Sequence, residues 1–366
     1  MNPKPKKIIC TVTNDLSFDQ RMQRICTSLS KFGYEVELVG RKRKHSKQLD
    51  AFPFKQKRIK CWRNKGFLFY AEFNIRLFFY LLFTSYDIVC SVDLDTLSAG
   101  VLAAKLKSKK VVYDAHEYFP ESPELINRPK VKSVWKKIEQ TFLPKADLVY
   151  TVSSGIQQLF KNQYHIEIGL IRNVPTYYAV NEFRKQEQYI IYQGALNVGR
   201  GLEQIIDAMA MVNSKLLLAG SGDIEEQLKQ KVIAKSLHSK VEFLGNVKPD
   251  KLRDYTQKAK IGINLLERMG ESYYLSLSNK FFDYVMAEIP QISIDFPSYK
   301  SINKKFDVAI LIDSLNPELI ADKINLLLLD TERYSLLQQN CKVAKEELNW
   351  SKEEQNLKLL YNNLEE

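Results

Sequence analysis

Two doubly wound α/β domains in tandem are what this sequence predicts, and three observations carry the prediction. Short β-rich apolar runs alternate with amphipathic stretches of about ten to fifteen residues, the signature of βαβ units and a parallel sheet. That alternation runs twice, and a polar, charged segment at 181–188 separates the two runs. At 366 residues the chain also exceeds what one hydrophobic core usually serves.

In the first run, strands are expected at 7–13, 34–40, 86–91, 110–114, 146–152 and 169–172, with helices at 18–32, 66–84, 96–107, 131–143 and 153–161. In the second, strands are expected at 189–192, 215–219, 241–244, 261–266, 291–294 and 308–312, with helices at 202–212, 223–234, 249–259, 279–287 and 317–329. The domains are therefore set at 1–180 and 189–350. A last helix within 351–366 follows the finished second sheet and is free to pack back on the first domain. Open parallel sheets bind ligands at the carboxyl ends of their strands, so residues just after strands, and the cleft between two such domains, are where function is expected.

Composition narrows the class. Apolar residues make up 45% and charged residues 27%, as in ordinary folded proteins. The five cysteines are scattered singly, which argues against a disulfide framework or a zinc site and for a reducing, cytoplasmic setting. The apolar run after the basic N-terminus is too short for a secretory signal. Of the net charge of +11, the stretch 41–65 alone carries about +10, with eleven Lys or Arg against Asp50. The basicity is thus a local patch and not a nucleic-acid-binding surface.

Two stretches carry most of the chemistry. Residues 189–201 read as a strand, then a loop with Gly194, Gly199, Arg200 and Gly201, then a helix. Glycines let backbone amides approach a phosphate, and Arg200 can fork two oxygens, which suits a diphosphate. The pattern is neither G-x-G-x-x-G nor a P-loop. In residues 276–290, Ser278 or Asn279 can cap a helix whose first turn holds Lys280. A cation where the helix dipole disfavours one implies an anionic partner. Asp283, one turn on, can accept both hydroxyls of a ribose, while Phe281, Phe282, Val285 and Met286 make core.

These stretches, with 218–223 and 241–246 between them, resemble the C-terminal domain of the family 4 retaining glycosyltransferases, which have the GT-B fold of two Rossmann-like domains facing across a cleft. Thr13-Asn-Asp-Leu-Ser-Phe-Asp-Gln-Arg21, Asp93-Leu-Asp-Thr-Leu97, Tyr113-Asp-Ala-His-Glu-Tyr118 and Val152-Ser-Ser154 resemble the N-terminal domain, so the likeness spans nearly the whole chain. It implies a hexosyltransferase-like enzyme that moves a sugar from a nucleotide-diphosphate donor to a glycan or lipid-linked acceptor, with retention, in polysaccharide or lipopolysaccharide synthesis. No cofactor is implied, the nucleotide-diphosphate sugar being a co-substrate. Arg200 and Lys280 would bind the diphosphate, Gly194 would face it, and Asp283 would take the ribose. His116 would lie beside the reacting sugar, so His116, Arg200 and Lys280 are the expected catalytic residues. Ser278, Asn279 and Glu271 complete the expected donor site. Asp15, Asp19, Arg21, Asp95 and Glu117 form the expected acceptor side, where a polar segment replaces the family's glycine-rich loop. The family's acidic pair, E-x7-E, is broken: with Asp283 as the second member the first is Leu275, and Glu267 or Glu271 stands on the same loop.

Asp93-Leu-Asp95 invites a metal reading, but two carboxylates are a weak site for a hard cation. Arg200 and Lys280 can neutralise a leaving diphosphate themselves, so no metal is expected. Residues 66–83 are unusually aromatic yet interrupted by Glu72, Asn74 and Arg76, too polar to cross a bilayer. Next to the basic patch they predict either a peripheral helix on the anionic inner face of the cell membrane, through 41–83, or a buried crossover helix beside a solvated loop. Two further functions compete: a nucleotide-sugar epimerase or hydrolase of the same architecture, and a non-catalytic binder of anionic lipid or glycan.

Overall fold

The computed structural model describes residues 4–180 and 187–365; residues 181–186 of the expected linker lie outside the described residues. The chain divides into two compact units, Met1–Arg172 with Glu354–Glu366, and Asn173–Glu353. The segment 173–180, expected to end the first domain, belongs to the second unit. There Trp350 N donates to Pro175 O at 2.9 Å and Tyr177 OH donates to Glu346 Oε1 at 2.9 Å.

Among the described residues the first unit holds seven parallel strands: β1 (Lys7–Thr11), β2 (Glu35–Lys42), β3 (Lys55–Lys60), β4 (Ile88–Val92), β5 (Lys110–Ala115), β6 (Leu148–Thr151) and β7 (Gly169–Leu170), in the order β3-β2-β1-β4-β5-β6-β7. The central strands are buried along most of their length because helices cover both faces of such a sheet; all five residues of β4 are buried. Its helices are α1 (Gln20–Lys31), α2 (Gly66–Phe83), α3 (Leu94–Leu106), α4 (Pro123–Ile126), α5 (Pro129–Phe142) and α6 (Ser154–Tyr164).

The sequence reading missed β3. Its residues, Lys-Gln-Lys-Arg-Ile-Lys, show no apolar run because β3 is the sheet edge, where charge is tolerated and deters pairing with another chain. It is a strand because its backbone completes the ladder on β2, from Glu37 opposite Lys55 to Lys42 opposite Lys60. Six of the eleven basic residues of 41–65 are therefore fixed in a sheet.

The second unit repeats the design with β8 (Tyr189–Gln193), β9 (Lys215–Ala219), β10 (Val241–Gly245), β11 (Ile261–Asn264), β12 (Gln291–Ile294) and β13 (Ala309–Ile312), in the order β10-β9-β8-β11-β12-β13, again parallel. Its helices are α7 (Leu202–Ala208), α8 (Glu225–Ala234), α9 (Pro249–Lys258), α10 (Gly270–Leu275), α11 (Asn279–Met286), α12 (Pro297–Phe306), α13 (Pro317–Leu329) and α14 (Thr331–Ala344). The helices α10, α12 and α14 were not anticipated. Proline at the first position starts α12, and Asp330 caps α14 by accepting from Arg333 N at 2.8 Å.

The last helix, α15 (Trp350–Glu365), starts in the second unit and continues in the first. Within the first unit Glu354 accepts from Ser28 Oγ, Glu365 pairs with Lys6 at 3.2 Å, and Tyr361 is fully buried with its ring 6.0 Å from that of Tyr34.

Candidate active site

In the second unit the expected donor residues converge. The strand β8 ends at Gln193, and Gly194 follows with φ of 131°, a conformation glycine alone adopts readily. The loop after β9 presses against it so closely that a Cβ on Gly220 would sit 1.9 Å from Gly194 O. On the other side of Gly194 lies Lys280: a Cβ on Gly194 would be 3.5 Å from Lys280 Cε and 3.8 Å from its Nζ.

Lys280 is 6% exposed, in the first turn of α11, with Nζ 4.1 Å over the ring of Tyr192. Arg200 lies 4.7 Å over the ring of Tyr273, and its buried Nε has no hydrogen-bond partner among the described residues. Burial, and then the nearby charge of Arg200, hold the Lys280 ammonium well below the ordinary lysine range, with Asp283 only partly opposing them. No described carboxylate lies within ion-pair distance of either cation. Two crowded cations resting on aromatic faces, with no anion of their own, form a site receptive to a multiply charged anion.

Asp283 stands one turn along α11 and is oriented from behind. Thr256 Oγ1 donates to Gln193 Oε1 at 2.6 Å, which turns Gln193 Nε2 onto Asp283 Oδ2 at 2.8 Å. Ser278 occupies the cap position of α11 without capping it. Its hydroxyl donates to Asn264 Oδ1 at 2.6 Å and its N–H to Tyr299 OH at 2.9 Å, so Ser278 is a packing residue, while Asn279 is exposed at the first helical position. Leu275 ends α10, and its carbonyl accepts from Ser298 Oγ. The acids on the same loop are engaged: Glu267 accepts from Gln204 Nε2 at 3.1 Å and its N–H donates to Gly199 O, while Glu271 lies 3.5 Å from Arg268.

The first unit gathers a second cluster where β1, β4 and β5 end. His116 follows β5 with Nε2 3.2 Å from Asp114 Oδ2 and Nδ1 3.6 Å from Asp93 Oδ2; its N–H donates to Asp93 Oδ1 at 2.9 Å. Burial opposes the imidazolium, but Asp114 and Asp93 outweigh it and push His116 up to about 9. Asp93 holds φ of 56°, costly for a non-glycine residue by about 1–3 kcal/mol. Asp95 is 7% exposed and accepts from Thr13 Oγ1; burial and Asp93 raise it to about 7. Burial and the charges of Asp93 and Glu124 raise Glu117 to about 8.

Three of the expected acceptor-side residues have other duties. Arg21 is 4% exposed, with Nη2 2.9 Å from Asp114 Oδ1 and Nη1 donating to Ile171 O at 3.0 Å, so it is a buried brace and not a ligand contact. Asp19 caps α1 by accepting from Met22 N at 2.9 Å. Asp15 caps the turn Leu16–Phe18, pairs with Arg58 of β3 at 2.5 Å and accepts from Ser46 Oγ. Of that set, Asp95 and Glu117 sit in the His116 cluster.

Sequence reasoning passed over the supporting residues. Asp114 and His116 are two apart at the end of a strand and so share a face, a signal that was available. Tyr192, Tyr273, Gln193 and Thr256 carried none, because their partners lie far away in sequence.

The first cluster makes a pH prediction. His116, Glu117 and Asp95 all bind protons more tightly folded than unfolded, so their contribution to stability is complete at low pH and is lost as pH rises through about 7, 8 and 9. Asp114 is depressed, chiefly by Arg21 and His116 against the cost of burial, and acts the opposite way in acid. The urea midpoint should fall between about pH 6 and about pH 9. The pair Asp95→Asn, Glu117→Gln should flatten that fall, and a wild-type midpoint that rises over the interval contradicts the assignment.

Comparison with known proteins decides the family. Residues 20–176 match Glycosyltransferase Family 4, and residues 174–343 match Glycosyl transferases group 1, two consecutive matches that together span most of the chain. The chain belongs to the family 4 glycosyltransferases. An uncharacterised glycosyltransferase of Methanocaldococcus jannaschii is 28% identical over 140 residues, which are 36% of this chain and 33% of that relative, so the chain matches about a third of the relative's length. Three solved structures share the GT-B fold over 97–98% of this glycosyltransferase. Sucrose-phosphate synthase from Thermosynechococcus elongatus has a TM-score of 0.82 at 16% identity and is covered over 99% of its chain. HepE of Anabaena, solved with UDP-glucose, has a TM-score of 0.75 at 14% identity with 100% covered. WaaG, involved in lipopolysaccharide biosynthesis, has a TM-score of 0.68 at 13% identity with 99% covered.

Proposed function

We propose that this glycosyltransferase moves a sugar from a nucleotide-diphosphate donor to a glycan or lipid-linked acceptor, with retention at the anomeric carbon, in the synthesis of a cell-surface polysaccharide or lipopolysaccharide. The observation that carries the reading is the pair of neighbouring cations, Arg200 over Tyr273 and Lys280 over Tyr192 beside Gly194, with no carboxylate at ion-pair distance among the described residues. Departure of a nucleoside diphosphate leaves charge on its terminal phosphate. Cations already desolvated and fixed in place stabilise that charge without reorganising, so no metal is required in this scheme. Asp283, aimed by Gln193, takes the ribose hydroxyls.

His116 is not the base in this scheme. With its pKa raised to about 9 it is an imidazolium at neutral pH and has no lone pair to offer. The acceptor proton passes instead to the departing phosphate oxygen on the same face, a route that gives retention without a dedicated nucleophile. Asp95 and Glu117, raised to about 7 and about 8, spend part of their time protonated near neutral pH and can both donate to and accept from sugar hydroxyls. The work is assigned to the cytoplasmic side of the cell. HepE was solved with UDP-glucose, which makes a uridine diphosphate sugar the first donor to try.

The test is release of nucleoside diphosphate from a panel of UDP-, GDP-, TDP- and ADP-sugars, with and without a lipid-linked or oligosaccharide acceptor. Release that depends on acceptor, with an α-linked product from an α-linked donor, is expected. Equal release without acceptor indicates a hydrolase, and conversion of the donor sugar without release indicates an epimerase.

A further inference from the structure

We propose that the outer face of α2, with the basic rim beside it, docks this protein on an anionic lipid bilayer. The inference does not depend on the donor site and stands or falls whether or not the chain transfers a sugar.

The helix α2 is apolar on two opposite faces. Phe69, Phe73, Leu77 and Leu81 recur every four residues and are buried, and the helix packs on α3. Leu68, Ile75, Phe79 and Phe83, spaced by seven, four and four, fall on the opposite side and are 57%, 58%, 50% and 82% exposed. Trp62, 81% exposed, and Phe67, 73% exposed, extend the patch at the helix start. Soluble proteins rarely leave so many large apolar side chains together in water, and a helix apolar on two opposite faces needs a second apolar surface. α2 is the one helix among the described residues long and apolar enough to cross a membrane, but its inner face is committed to the first unit.

Charge identifies the occupant. Lys57, Lys60, Arg63 and Lys65 are exposed immediately upstream, and β3 holds the first two in register on β2. Lys57 Nζ lies 4.2 Å over the Tyr80 ring, and Arg76 4.6 Å over that of Trp62. These two cations, with Ile75, Phe79, Tyr80 and Phe83, line an open groove of about 550 Å³. The acid of α2, Glu72, is already consumed, accepting from Trp62 N and Arg63 N and pairing with Arg76 at 2.8 Å. A second copy packed through a two-fold axis would set this basic rim against itself. An anionic bilayer supplies what the face lacks, with headgroup phosphates for the cations and acyl chains for the phenylalanines.

The test is flotation of the full chain with phosphatidylglycerol–phosphatidylcholine vesicles against vesicles of phosphatidylcholine alone. Binding only to the anionic vesicles, released by salt, is expected. Phe79→Asp with Phe83→Asp should lower the bound fraction at least tenfold, as should Lys57→Glu with Lys60→Glu. Both pairs should leave the melting temperature and nucleoside diphosphate affinity unchanged, which shows that the fold and donor site are intact. Protein that stays with the soluble fraction overturns the proposal. So does vesicle binding indifferent to these variants, or a stable dimer that Phe79→Asp dissociates.

Discussion

Exchanging Lys280 for methionine should lower turnover by about a hundredfold or more, about 2.7 kcal/mol of transition-state stabilisation, while raising the melting temperature of the unliganded protein. The two effects have one cause. Lys280 is 6% exposed, with no carboxylate at ion-pair distance among the described residues and only partial compensation from Asp283, so the folded protein bears the cost of a desolvated ammonium next to the Arg200 guanidinium. Methionine fills similar volume on the Tyr192 ring without the charge and removes that cost. What it cannot do is meet a diphosphate. Arg200→Ala should lower turnover comparably, with less effect on stability, because Arg200 is only half-buried. A Lys280→Met variant that keeps wild-type turnover refutes the role assigned to the residue. One that loses both activity and stability makes Lys280 structural instead.

The second large effect is on folding. Arg21→Ala should destabilise the protein by about 3–5 kcal/mol, read as a lowered urea midpoint with an unchanged slope. The guanidinium is bonded to the fully buried Asp114 at 2.9 Å and to Ile171 O at 3.0 Å, so truncation leaves a buried carboxylate and a buried carbonyl without their donor. Arg21→Lys can keep only one of the two bonds and should recover part of the loss. The brace also acts on His116, whose Nε2 lies 3.2 Å from the other oxygen of Asp114. Arg21 therefore positions the His116 cluster from behind. A surface role would make Arg21→Ala nearly neutral for stability.

The fate of Arg21 shows how much of this molecule could be read in its sequence. An arginine just after the first strand stood where ligand contacts gather, and its residue type suggested one; only the fold, which brings Asp114 from ninety-three positions away, reveals that it faces inward. Asp15 misled in the same way, because Arg58 comes to it from β3, a strand without an apolar run to announce it. The buried strands, by contrast, were legible, since strands covered on both faces are mostly apolar: the expected 215–219 and 291–294 coincide with β9 and β12, although β12 also buries Gln291 and Ser293. The proposed donor residues stood out for a related reason. Gly194 with Arg200, and Lys280 with Asp283, each lie within one strand–loop–helix segment, so their spacing survived in sequence, whereas Tyr192 and Tyr273, which support the two cations, are joined only by packing.

The central claim, that Arg200 and Lys280 receive a diphosphate, is tested most directly by calorimetry of nucleoside diphosphate binding in buffers of different ionisation enthalpy, across a pH series from neutral to the ordinary lysine range. Burial and Arg200 depress Lys280 in the free protein, and an incoming anion restores its charge, so binding should take up a proton above the depressed value and weaken as pH rises. Lys280→Met should abolish the proton uptake and lower the affinity. Equal affinity and equal proton uptake in the wild type and in Lys280→Met would contradict the account.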